Sequence, residues 1–180
     1  MKAWLLLLAA MLLVSPFASG QTKKDYIQIV TKDNGTTVEL LPTTIGMSPS
    51  LSSAEVSVMY FGPQSDSDIS FLLILGGAKG RYSTDVTYGA KFYSDGISIR
   101  GNRYRTVNQV TRDGARDVLH LYLTTEDLAW LVVGDSVKVD VYEVDTGKKL
   151  DTFSFTSGGV TRLKEFAKAV LLTKSYWDQQ

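Results

Sequence analysis

The chain predicts a mainly β protein: an antiparallel β-sandwich or open barrel of about eight to ten short strands, with one short helix near 126–133 and an amphipathic C-terminal helix near 161–175. Three observations predict it. Apolar and polar residues alternate with period 2 through most of the chain, which puts one side of each strand against a core. Turn-forming pairs such as Asn34-Gly35, Asp95-Gly96 and Asp113-Gly114 recur at short intervals. Only near the C-terminus does the apolar spacing change to i, i+3, i+4, i+7, the period of one helix face.

The strands follow in order. Residues 25–32 and 36–41 flank Asp33-Asn34-Gly35, a hairpin signal because Asn and Gly tolerate positive φ. Residues 42–53 are rich in Ser, Thr and Pro and read as a loop. Residues 54–61 alternate, and a polar turn over 62–68 leads into 69–75. That segment is apolar on both faces and therefore belongs inside a sheet. Gly76-Gly77-Ala78-Lys79-Gly80 breaks the pattern. Residues 84–93 alternate again, Ser94-Asp95-Gly96 turns into 97–100, and 104–110 is a looser strand. Residues 117–124 place Val118 and His120 on one side and Leu119, Leu121 and Leu123 on the other.

Thr125 followed by Glu126 and Asp127 reads as a helix start, because acids suit the positive end of the helix dipole; Gly134 closes that helix. Residues 136–144 alternate cleanly, with Val137, Val139 and Val141 against Lys138, Asp140 and Tyr142. Asp145-Thr146-Gly147 turns the chain into 149–156. Ser157-Gly158-Gly159 reads as a breaker and Thr161 as the cap of the last helix. Leu163, Phe166, Ala167, Val170 and Leu171 form its apolar stripe.

The first twenty residues carry an address. Met1-Lys2 is a short basic start, Trp4 to Val14 is an unbroken apolar run, and small residues at Ala18 and Gly20 precede Gln21. That layout predicts a signal peptide over 1–20, too short to span a bilayer, followed by a single secreted domain over 21–180. The protein is then expected in the periplasm or outside the cell. The absence of cysteine removes disulfides, thiol catalysis and zinc–thiolate sites.

Lys and Arg total 19, equal to Asp and Glu, and loss of Lys2 with the leader tips the balance to the acidic side. That balance does not point to nucleic acid, whose binders carry a strong basic excess. No further apolar stretch approaches the length of a membrane helix. With one histidine, no cysteine and scattered acids, no metal site and no cofactor are expected. His120 lacks a Gly-x-Ser-x-Gly partner, so it reads as structural. Asp145-Thr146-Gly147 matches the aspartic-protease triplet, yet Lys148-Lys149 follow it and a hairpin needs the same three residues. Gly76 to Gly80 lacks the spacing of a phosphate loop.

The most suggestive surface lies between Arg81 and Arg116, where arginines interleave with tyrosines. Guanidinium forks grip carboxylates and phosphates, and tyrosine rings stack on sugars or cations. Lys91, Tyr93, Arg100, Arg103, Tyr104 and Arg105 are the expected ligand-binding set. The residues therefore predict a non-catalytic secreted or periplasmic β-sandwich that binds an acidic envelope component, a protein partner or an anionic ligand. Two alternatives stand beside it. One is a carrier of lipid or a small apolar ligand inside a β-barrel. The other is a hydrolase acting on polysaccharide through carboxylates such as Asp85, Asp95 or Glu55.

Overall fold

A computed structural model describes residues 21–24, 26–32, 34–46, 53–62, 69–76, 82–83, 85–98, 105–107, 109–113 and 116–179. The strands are β1 (Gln21–Lys24), β2 (Ile27–Lys32), β3 (Gly35–Thr44), β4 (Ser53–Gly62), β5 (Ile69–Gly76), β6 (Tyr88–Ser94), β7 (Ile97–Ser98), β8 (Arg105–Val107), β9 (Gln109–Asp113), β10 (Arg116–Leu123), β11 (Val137–Glu143) and β12 (Lys149–Ser154). The helices are α1 (Thr125–Leu131) and α2 (Ser157–Trp177). A seven-stranded antiparallel sheet runs β1-β2-β3-β4-β5-β10-β9. A five-stranded one runs β12-β11-β6-β7, with β8 also paired to β6. The two sheets form a sandwich-like fold and do not close into a barrel.

Alternation explains the packing. Val56, Val58 and Tyr60 on β4 face Phe71 and Leu73 on β5, and Leu119, Leu121 and Leu123 continue that layer on β10. Val137, Val139, Val141, Ala90, Phe92 and Phe153 face them from the second sheet. Phe71 joins the layers, 5.3 Å from Phe92 and 6.2 Å from Phe155 between ring centroids. The Phe71–Phe92 pair is edge-on, an arrangement that adds about 0.5–1.5 kcal/mol beyond the area it buries. Gly46 forms a bridge with Ser154, tying the end of β3 to the edge strand β12.

Several local expectations change. β1 is an additional edge strand. β3 continues through Pro42 to Thr44, where a loop was expected, because a bulge between Leu40 and Thr43 absorbs a proline that has no N–H to give. The buried Ser57 hydroxyl donates to the Leu40 carbonyl beside that bulge. β6 starts at Tyr88 rather than 84, since Val86 N–H turns back to the Ser83 carbonyl and Ser83 N–H donates to the Tyr88 hydroxyl. The looser strand at 104–110 is two strands, β8 in one sheet and β9 in the other.

Both helix starts also move. Thr124, not Thr125, caps α1: its hydroxyl accepts from Asp127 N–H while Asp127 returns the bond to Thr124 N–H. Thr156, not Thr161, caps α2 by accepting from Gly159 N–H, so Gly158 and Gly159 lie in the first turn instead of breaking the chain. α2 packs along β3 through Val160, Leu163, Phe166, Ala167 and Val170. Leu171, assigned to that stripe by spacing, is 46% exposed. Among the described residues no helix is long and apolar enough to cross a membrane.

Candidate binding face

The outer face of the five-stranded sheet gathers cations around two tyrosines and one acid. Register places them. Lys91 on β6 lies opposite Asp140 on β11, which lies opposite Thr152 on β12. One row towards the β6–β7 turn, Tyr93 lies opposite Lys138; one row the other way, Tyr142 lies opposite Lys149. These side chains share one face because the alternate residues, Val137, Val139, Val141 and Phe92, are buried between the sheets.

Asp140 is the hub. It is only 3% exposed. Thr152 hydroxyl donates to Oδ1 at 2.8 Å and Tyr142 hydroxyl to Oδ2 at 3.3 Å. The Nζ atoms of Lys138 and Lys149 lie 3.7 and 3.8 Å from Oδ2. A carboxylate so covered needs such partners, because desolvation of an unpaired charge costs several kcal/mol. The Tyr142 hydroxyl is pushed well above the ordinary tyrosine range, first by burial, then by its hydrogen bond to Tyr93 and the charge of Asp140. It stays protonated at neutral pH and remains a donor.

Tyr93 is the second organiser. Lys138 Nζ stands 4.2 Å from its ring centroid and Lys91 Nζ 5.7 Å. Each contact is worth about 0.5–1 kcal/mol at an exposed site. The ring therefore holds ammonium groups of this same face, one of the two roles, sugar or cation, expected of these tyrosines. Three lysines against a single carboxylate leave this face cationic.

Of the expected ligand-binding set, Lys91 and Tyr93 are on this face. Arg105 pairs along β8 with Ala90. Arg100, Arg103 and Tyr104 lie outside the described residues. Lys138, Asp140, Tyr142 and Lys149 were missed as partners of Lys91, although their alternation was visible. Nothing in the sequence showed that β11 pairs with β6.

The other candidates resolve into structure. Asp95 and Gly96 have φ of 48° and 78°, the two positive values of a type I′ hairpin. Asp95 Oδ1 accepts from Asp135 N–H, Ser136 N–H and Ser136 hydroxyl, and the Ser136 bonds lead in holding its carboxyl below the usual range. That carboxylate ties two turns together. Glu55 alternates with buried Ala54 and Val56 on the other sheet, and Asp85 sits in the turn before β6. Asp145-Thr146-Gly147 forms the β11–β12 hairpin: Gly147 has φ 66° and its N–H donates to the Glu143 carbonyl. His120 stands on the outer face of β10, where burial lowers its pKa. Among the described residues no cluster of His, Asp or Glu could hold a metal. An apolar groove of about 220 Å³ lies between α2 and the β2–β3 hairpin, lined by Ile29, Thr31, Thr36, Ala169, Leu172, Thr173 and Tyr176. No protein-family model, curated protein or solved structure matches the chain.

Proposed function

We propose that this protein is a non-catalytic binding module, acting outside the cytoplasm, that takes an anionic partner on the outer face of its five-stranded sheet. The carrying observation is the convergence of Lys91, Lys138 and Lys149 around Tyr93 and the buried Asp140. The leader-like residues 1–20 support the location. Sheet strands position the lysine stems, and Asp140 and Tyr93 position their heads, so little side-chain entropy is left to lose on binding.

Retention on phosphocellulose tests it. Lys91→Gln with Lys138→Gln leaves Lys149 to balance Asp140 and should lower the eluting salt concentration clearly, because exposed charge interactions are screened over about 8–10 Å at physiological salt. Lys168→Gln with Lys174→Gln removes the same charge from α2 and should change elution far less. Equal loss in both pairs would mean that net charge, not this face, does the binding.

A further inference from the structure

The apolar groove beside α2 has no part in the cationic sheet face. Ile29, Thr31 and Thr36 of the β2–β3 hairpin form one wall; Ala169, Leu172, Thr173 and Tyr176 of α2 form the other. Ala169 to Tyr176 spans two helical turns, which makes the groove about 10 Å long. Its threonines are engaged elsewhere. Thr36 Oγ lies 3.2 Å from Thr31 Oγ and accepts from Trp177 Nε1 at 3.4 Å. A water in the groove would therefore find few of the two to four polar partners it needs. At about 220 Å³ the groove exceeds the roughly 150 Å³ of an apolar cavity that accepts benzene. Its rim is apolar and open: Leu172 is 59% exposed and Tyr176 38%. A helix that only closed its own sheet would turn polar residues there.

Charge chooses between occupants. α2 and its C-cap carry Arg162, Lys164, Lys168 and Lys174 against Glu165 and Asp178. Both acids are engaged. Glu165 Oε2 accepts from the Tyr26 hydroxyl at 2.5 Å, and Asp178 pairs with Lys174 at 3.2 Å. Lys164 is taken by Asp135. Lys168 is exposed and makes no ion pair among the described residues. It stands one turn before Leu172, at i to i+4, on the edge of α2 that borders the groove. Arg162 adds a second cation towards that end, 5.0 Å from the Tyr26 ring centroid. A dry apolar slot with a spare ammonium group at one end suits a single aliphatic chain that ends in an anion. We propose that this groove binds a free fatty acid, with the chain along Ile29, Ala169 and Leu172 and the carboxylate at Lys168. The site is separate from the sheet face and goes beyond the anion-binding reading given for it.

Titration calorimetry of the full chain with decanoate, kept below its micelle concentration, tests the site. Saturable binding of one decanoate per chain is expected. Ala169→Leu with Thr173→Leu fills the groove with good helix formers, so the melting temperature should hold while binding weakens at least tenfold; lost burial of about two methylenes is enough for that. Lys168→Gln, at an exposed position that cannot unfold the chain, should weaken decanoate binding severalfold. Decyl maltoside has the same chain and no charge, and should bind more weakly than decanoate. Absence of saturable decanoate binding overturns the proposal. So does binding that survives in a folded, filled variant, because the ligand then sits elsewhere. Equal affinity for decyl maltoside, or an unmoved affinity in Lys168→Gln, overturns the role given to the carboxylate and the proposal with it. If the full chain sediments as a dimer that Leu172→Ser makes monomeric, the groove is a contact between two copies and the fatty-acid reading falls.

Discussion

Replacing Gly134 by alanine should loosen the lock between the β6–β7 hairpin and the loop after α1. A Cβ at Gly134 would stand 2.5 Å from Ser94 Oγ and 2.6 Å from both Asp95 Cγ and Oδ2. Its φ is not in the left-handed region, so the fault is steric contact and not backbone torsion. The atoms in the way belong to short side chains that can swing aside, but each swing breaks a bond. Ser94 loses the Gly134 N–H, and Asp95 loses the N–H groups of Asp135 and Ser136. At about 1 kcal/mol net per hydrogen bond, loss of the buried Ser94 bond alone costs about 1 kcal/mol. In a domain of this size that lowers Tm by about 2–4 °C. Gly158→Ala is the matched control: nothing lies within 4 Å of its added Cβ, and it sits in the first turn of α2. There alanine should be neutral or stabilising by up to about 1 kcal/mol. Paired thermal melts by circular dichroism measure both. If Gly134→Ala melts with the parent, Asp95 and Ser94 do not lock the hairpin to the loop after α1.

His120 should make stability fall on mild acidification. Burial lowers its folded pKa below the ordinary 6.5, so the unfolded chain takes up the proton first. The contribution is present above about pH 6.5 and is lost as pH falls through the lowered folded value. Urea midpoints at pH 7.5 and 5.5 should differ in the parent, and His120→Gln should shrink that difference; an unchanged difference would assign the effect to other groups. Phe166→Ala should cost about 3–5 kcal/mol, because Phe166 is fully buried between α2 and the sheet. A loss below about 1 kcal/mol in urea unfolding would show that α2 does not close the core.

Strand positions and their faces were legible because burial on one side enforces period 2, as in Val137, Val139 and Val141 against Lys138, Asp140 and Tyr142. Pairing was not, because partners such as β6 and β11 are distant in sequence and many registers satisfy the same pattern. The caps show a smaller failure. Thr124 and Asp127 have the three-residue spacing of a reciprocal cap, which the adjacent Thr125 masked. Gly158-Gly159 reads as a breaker in any list of propensities, yet in the first helical turn a capping hydroxyl outweighs the cost of glycine. Half of the binding face was therefore visible as one strand and half as another, with nothing to join them.

Asp140 explains how a chain with balanced charge carries a cationic face. Two ammonium groups near 4 Å from one carboxylate each gain about 4 kcal/mol of gross attraction at an effective dielectric of 20. That attraction offsets the crowding of like charges and the burial of the acid. The carboxylate is nonetheless closed to competition: it is 3% exposed and its Oδ1 is held by Thr152. On the proposed reading, an arriving anion would meet the outward sides of the lysines. Affinity would then come from arrangement and not from charge excess, so binding should follow the placement of Lys91 and Lys138 more closely than the net charge of the whole chain.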